Sequence, residues 1–327
     1  MTLAATDPAA VAGRVRPTVD VAMVAFGNVD RIEQRVRGLR SYGVDGRVIV
    51  VDHGDDGSGA AAARAGATIL HDPTNPGFGA GINRAVAAST AEYVLLMNPD
   101  ADLTRIAIAA GLEALAADPS AGAAQGLIRT EATGDLERSG GRELRPIDLL
   151  GRALGAKRLL SVGFVARLAR SLGAAHQVDR GTDAVVAVET IAATAMLIRR
   201  EAFDSIGGFD ERYFLYGEDL DLCRRLRAAG WTLLYLPTPW AEHECGGSAA
   251  NWWERELRWW EGTLQFAAQW WGTGAFARAV GAAALMTVRL SIASPRRAGL
   301  AARALLRSPL ATRGESNRGV RPASTRR

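Results

Sequence analysis

Four apolar runs near residues 19–26, 47–52, 67–71 and 93–97 alternate with helical patterns near 30–41, 59–65 and 79–89. Such runs suit strands covered on both faces, and strand-helix alternation predicts a mostly parallel sheet flanked by helices. A helix near 105–117 and an apolar run at 121–128 extend the pattern. The polar stretch through Gly134, Gly140 and Gly141 predicts a hairpin or loop over a site. Residues 145–182, rich in Leu, Arg and Gly, predict short amphipathic helices, and the sheet resumes near 185–199, where Ala192 to Ala195 leave room for an acceptor near the backbone. Leu220, Cys223, Leu226 and Ala229 then recur at helical spacing, so Glu218 and Asp219 fall in the first turn of a helix. Residues 1–18 lack periodicity and read as a flexible leader.

Polar clusters close two of the strand-like runs. Arg47-Val48-Ile49-Val50-Val51-Asp52 stops in an acid followed by His53-Gly54-Asp55-Asp56-Gly57-Ser58, and Glu92-Tyr93-Val94-Leu95-Leu96-Met97 leads into Asn98-Pro99-Asp100-Ala101-Asp102. Strand ends are where open α/β sheets hold ligands, although a capped turn has the same composition. Between them, Asn75-Pro76-Gly77-Phe78-Gly79-Ala80-Gly81-Ile82-Asn83 is a glycine-rich loop opening a helix, which suits close backbone approach to a phosphate. Farther on, Gly207-Gly208-Phe209-Asp210-Glu211-Arg212-Tyr213-Phe214 precedes the acids Glu218, Asp219 and Asp221. Capping would account for one acid at a helix start. It would not account for the whole order of clusters.

That order, over roughly residues 19–250, resembles glycosyltransferase family 2, the inverting nucleotide-sugar-dependent enzymes with the A-type glycosyltransferase fold, and among them the bacterial rhamnosyltransferase-like members acting on polyprenyl-diphosphate-linked sugars. The resemblance implies a Rossmann-like catalytic domain. It implies a donor pocket drawn from Phe26, Asn28, Asp52, Asn75, Gly77, Gly79, Asn83, Asn98 and Asp100. It makes Glu218-Asp219 the catalytic acid pair, and makes His243, in Glu242-His243-Glu244-Cys245-Gly246-Gly247-Ser248, a metal ligand beside Asp100. Asn98 takes a position where many relatives carry an acid, so the motif has one formal charge fewer.

Chemistry leads to the same residues. Breaking an anomeric C–O bond builds negative charge on the departing diphosphate, which a divalent cation, Mg²⁺ or Mn²⁺, on hard ligands would neutralise. Asp100 is the first such ligand, Asp102 an indirect one, and a neutral His243 would favour Mn²⁺. Inversion needs a base facing away from the leaving group. Asp219 is the candidate and Glu218 its alternative. Gly207, Gly208 and Asp210 would border the acceptor.

The 48% hydrophobic content and 327 residues allow a large core. Cys223 and Cys245 are too few for a disulfide framework. Asn251-Trp252-Trp253-Glu254-Arg255-Glu256-Leu257-Arg258-Trp259-Trp260 carries four of the eight tryptophans. With the mostly apolar stretch 275–293 and an Arg-rich end, it predicts a helical membrane-associating segment over 251–305 and a basic disordered tail over 306–327. Arg255-x-x-Arg258-Trp259 resembles the basic-Trp motif of processive family members, which implies contact of Arg255 and Arg258 with the acceptor or the donor diphosphate. An anionic membrane surface explains the basic tail, since no nucleic-acid-binding motif accompanies it. The expected enzyme is a peripheral one on the cytoplasmic face of the bacterial plasma membrane, moving L-rhamnose from dTDP-rhamnose to a lipid-linked glycan acceptor. A sugar-nucleotide pyrophosphorylase and a non-catalytic membrane-bound scaffold are the alternatives. The chain lacks the Gly-rich, Arg-containing first turn usual for the former, and only Asn98 favours the latter.

Overall fold

The computed structural model describes residues 17–27, 29–137, 139–154, 184–244 and 252–293. Asn28, Cys245, the leader up to residue 16, most of 145–182 and the tail beyond 293 lie outside them. Strands β1 (Val19–Ala25), β2 (Val48–Asp52), β3 (Thr68–His71) and β4 (Tyr93–Met97) form a parallel half-sheet in the order β3-β2-β1-β4. Every residue of β2 and β4 is buried, because helices cover both faces. Val19, Val21 and Met23 enter a core beneath α1 (Val29–Leu39), α2 (Ser58–Arg64) and α4 (Ala107–Ala117). Ala22, Ile49 and Val51 enter the opposite core, beneath α3 (Phe78–Ala87), α6 (Arg200–Ser205) and α7 (Glu218–Ala228).

Beyond β4 the sheet is mixed, which corrects the expectation of a mostly parallel one. Asn98 N–H at the end of β4 donates to the Thr194 carbonyl, so β10 (Ala195–Arg199) starts where β4 stops and runs back against it. β10 is also antiparallel to β6 (Ala121–Thr130). The last strand, β11 (Thr232–His243), inserts between β6 and β5 (Ala101–Leu103), parallel to the first and antiparallel to the second, and also pairs with β8 (Val186–Val188). The glycine stretch becomes β7 (Gly140–Gly141), paired with β9 (Thr190–Ile191) in a separate ribbon.

A third core joins α5 (Pro146–Ala153), α8 (Trp252–Trp270) and α9 (Thr273–Ala293) through Leu149, Trp260, Leu264, Phe276 and Met286. α8, which opens the expected membrane-associating segment, also contacts the catalytic domain. Its Trp270 Nε1–H and Gln269 side chain both donate to Asp221 on α7, at 2.8 and 3.0 Å. Among the described residues, no helix is long and apolar enough to cross a membrane.

Candidate active site

Phe26, Asp52, His71 and Asp100 stand in turn at or just past the C-terminal ends of the four parallel strands. Asp52 is buried, accepts from Gly54 N–H at 3.3 Å, and has His71 Nδ1 at 3.7 Å. Gly59 packs so tightly on this carboxylate that a Cβ there would collide with it. Phe26 is half exposed beside it in the fold, leaving an apolar face and an acceptor edge for a flat heterocycle.

The β11 insertion builds the next part. Its register sets His243 opposite Ala101, and His243 Nε2 thereby lies 3.2 Å from Asp100 Oδ1. A bridge between Arg129 and Leu136 turns the chain after β6 back so that Glu137 Oε1 sits 2.8 Å from His243 Nδ1. Both ring nitrogens face carboxylates, which only accept, so either nitrogen can carry the proton of the neutral ring. With that proton on Nδ1 toward Glu137, the Nε2 lone pair and Asp100 would be placed to share a cation, Glu137 orienting the imidazole. Among the described residues no cluster of three or more such ligands occurs. Asp102 is a correction: it lies on β5 toward α1, where it is ion-paired to Arg35 and accepts from the Tyr42 hydroxyl at 3.1 Å.

The acids Glu218 and Asp219 begin α7 after two left-handed residues, Tyr216 (φ 65°) and Gly217 (φ 87°). Tyr216 is a costly residue at such a φ, and α8 holds it there. A Cβ on Gly262 would collide with the Tyr216 carbonyl oxygen, and one on Gly217 would come within 2.6 Å of the Gly262 carbonyl oxygen. Burial raises the Tyr216 phenol, and Arg255, Glu218, Asp100 and His243 all act on it electrostatically. Tyr216 is therefore within electrostatic range of both the Asp100–His243 pair and Glu218.

Burial first, and then the Asp219 charge, push the Glu218 carboxyl up to about 8. Its Oε2 has no hydrogen-bond partner, and the residue is 6% exposed. Burial raises Asp219 as well, and this more accessible acid accepts from Leu220 N–H at 2.8 Å. Both carboxyls are thus raised, and Glu218, at about 8, holds its proton near neutral pH. Because the folded protein keeps that proton above the ordinary value of 4.5, Glu218 costs stability progressively as pH rises from 4.5 toward about 8. Glu218→Gln should match the wild type near pH 4.5 and exceed it by roughly 2–4 kcal/mol at pH 8.5. Denaturant unfolding at the two pH values checks this, and an equal difference at both would count against it.

Other expected contacts are structural. Asn83 donates to the Phe209 carbonyl at 2.9 Å and accepts from Phe209 N–H at 2.8 Å, so its amide clamps the 207–214 segment. Gly79 lies against Phe209, and Gly77 (φ 114°) lets Phe78 N–H reach the Phe214 carbonyl at 3.0 Å. Asn75, also left-handed at φ 44°, forms part of the same turn. Gly207 and Gly208 (φ 74° and 73°) end α6 by donating to Asp204 and Phe203 carbonyls, and Asp210 is ion-paired to Arg212. Gly207, Gly208 and Asp210 thus hold the local backbone of this segment. Arg258 stacks on Phe214 at 5.0 Å and pairs with Glu261, while Arg255 reaches toward Tyr216. Asn98 is half-buried at the β4 end. Sequence reasoning missed His71, Glu137, Tyr216 and Gly262; only His71, closing a strand run as Asp52 does, carried a signal.

The profile described as "Glycosyltransferase like family 2" matches residues 17–262. An N-acetylglucosaminyl-diphospho-decaprenol L-rhamnosyltransferase of Mycobacterium tuberculosis is 30% identical over 249 residues, covering 65% of this chain and 78% of the relative. The Escherichia coli rhamnosyltransferase WbbL is 39% identical over 72 residues, 22% of this chain and 27% of its own. Among solved structures, a mannosyltransferase of Pyrobaculum calidifontis in complex with GDP-Man and Mn²⁺ superposes with a TM-score of 0.55 at 18% identity, covering 89% of this chain and 81% of that one. The α/β fold is thus that of the A-type glycosyltransferases, and the chain belongs to glycosyltransferase family 2, close in kind to its rhamnosyltransferase-like members.

Proposed function

We propose that this glycosyltransferase is an inverting, cation-dependent rhamnosyltransferase that moves L-rhamnose from dTDP-rhamnose to a polyprenyl-diphosphate-linked glycan on the cytoplasmic face of the plasma membrane. The observation that carries the chemistry is the pairing of Asp100 with His243 together with an acid pair of raised carboxyls, Tyr216 lying within electrostatic range of both. The sugar and the lipid-linked acceptor rest on the mycobacterial relative, whose name states both. Family membership sets aside the pyrophosphorylase and scaffold alternatives.

In this reading the nucleobase lies between Phe26 and Asp52, with the diphosphate directed at Asp100 and His243. The cation they would hold supplies positive charge to the departing diphosphate. Asp219 takes the proton of the acceptor hydroxyl as that oxygen attacks the anomeric carbon from the opposite face. The new C–O bond forms as the bond to phosphate breaks, and its electron pair leaves with the nucleoside diphosphate. Glu218, keeping its proton, limits the charge that the pair presents. Arg255, beside Tyr216, is a second cation within reach of the diphosphate.

Incubating purified protein with dTDP-rhamnose and a polyprenyl-diphosphate-linked N-acetylglucosamine tests the reading: dTDP release coupled to disaccharide formation is expected, and transfer from another nucleotide sugar alone would refute the donor. Chelator should abolish transfer, and Mn²⁺ should restore it. Glu137→Ala should weaken Mn²⁺ binding in the presence of dTDP by roughly 10–100-fold, read by titration calorimetry, with Glu137→Gln falling between. Unchanged Mn²⁺ affinity in Glu137→Ala would remove Glu137 from the site.

A further inference from the structure

Of the large apolar side chains that are well exposed among the described residues, half belong to two packed helices. Ile147, Leu150 and Leu154 follow one another at helical spacing along α5 and its end, and Leu285 and Val288 lie on α9; all five are between 39% and 57% exposed. They are not the residues that join the helices. Leu149 and Ala153 of α5 and Phe276, Ala279, Ala283 and Met286 of α9 fill the core between them, so the five remain on outward sides after packing is complete. Clustered exposed leucine and isoleucine of this kind mark a surface that meets something apolar.

Charge identifies the occupant. The chain leaving α5 contains Lys157, Arg158, Arg167 and Arg170 without an acid until Asp179, interleaved with leucine, valine and phenylalanine. The chain leaving α9 contains nine arginines against the single acid Glu315. In sequence, both helices of this face are thus followed by strongly cationic stretches. Apolar side chains flanked by arginine and lysine match an anionic lipid surface, where the acyl boundary takes the former and the headgroups the latter.

We infer that the outer side of the α5–α9 pair, and not the tryptophan-rich helix α8, is the face that docks on an anionic bilayer. The inference rests on the lipid-linked acceptor of the proposed function. It also supplies the geometry such an acceptor needs: Arg152 of α5 is bound through its Nε to Glu256 of α8 at 2.8 Å, and α8 abuts the Tyr216–Gly217 turn. A bilayer on α5 is therefore in rigid connection with the acid pair.

The test uses the full chain and vesicles of phosphatidylglycerol, with phosphatidylcholine vesicles as control and no glycan lipid present. Wild-type protein should sediment with the anionic vesicles. Ile147→Glu/Leu150→Glu/Leu154→Glu should bind at least tenfold less, and Leu285→Glu/Val288→Glu on the other helix should show the same direction. Since all five side chains are exposed, both variants should keep the wild-type circular dichroism and melting temperature. They should also keep transfer to a short water-soluble acceptor, so loss of vesicle binding with retained transfer separates this inference from the proposed reaction. Undiminished vesicle binding by both variants would overturn it, as would wild-type protein that ignores anionic vesicles. A fall from dimer to monomer in the variants, with vesicle binding intact, would instead assign the face to a second copy of the chain.

Discussion

Asp219→Asn lowers the rate of sugar transfer by about two to four orders of magnitude, the usual cost of losing a general base. Donor binding should change little, because Asp52, Asp100 and His243 are untouched. Single-turnover transfer and dTDP titration of the same variant check the two halves separately. The pH dependence adds a sign. Burial raises the Asp219 carboxyl, so transfer should climb with pH through a midpoint above the ordinary carboxylate range, and Asp219→Asn should flatten that limb. Retention of more than a tenth of wild-type turnover would hand the role to Glu218.

Gly262→Ala should be nearly as damaging, although the residue touches no substrate. Its added methyl would occupy the position of the Tyr216 carbonyl oxygen, and a helix backbone cannot yield as a flexible side chain can. Either α8 lifts from the turn or the turn moves, and both displace the acids that follow it. A loss of roughly 1–3 kcal/mol in stability is expected from such overpacking. Turnover should fall further than stability requires, up to about 100-fold, since small misplacements of reacting groups carry costs of that size. Gly281→Ala is the control, because nothing lies within 4 Å of a Cβ at that helical position. It should gain up to about 1 kcal/mol from helix propensity. Equal thermal melts and equal activities for the two variants would show that the α8 contact does not position the pair.

The elements of the first hundred residues were legible because their periodicity reports burial directly: β2 and β4 read as unbroken apolar runs and are buried throughout. The acid pair was legible as a helix start for a similar reason, since Leu222, Cys223 and Leu226 pack inward behind it. Strand direction was not legible. Nothing in Ala195–Arg199 distinguishes a strand running up from one running down, and only the contact of Asn98 with Thr194 shows where β10 begins. Glycine roles were legible as a need for small residues but not as to what approaches them: Gly77 and Gly79 read as phosphate contacts and instead admit Phe214 and Phe209. The tryptophans of α8 do not by themselves name its partner, because an amphipathic helix that docks on a protein and one that docks on lipid share a pattern. Trp270 declares its allegiance only by its bond to Asp221.

The place of β11 has a consequence for how the protein comes into being. The parallel strands β1 to β4 are complete in sequence before residue 100, whereas β11 must slot between β6 and β5, two strands made long before it. Until Thr232–His243 leaves the ribosome, β5 lacks its partner and His243 has not reached Asp100. Pairings of such long sequence separation are slow to close and leave strand edges open meanwhile. The nascent chain thus has its parallel half-sheet in sequence early and brings His243 to Asp100 only with the closing of the sheet.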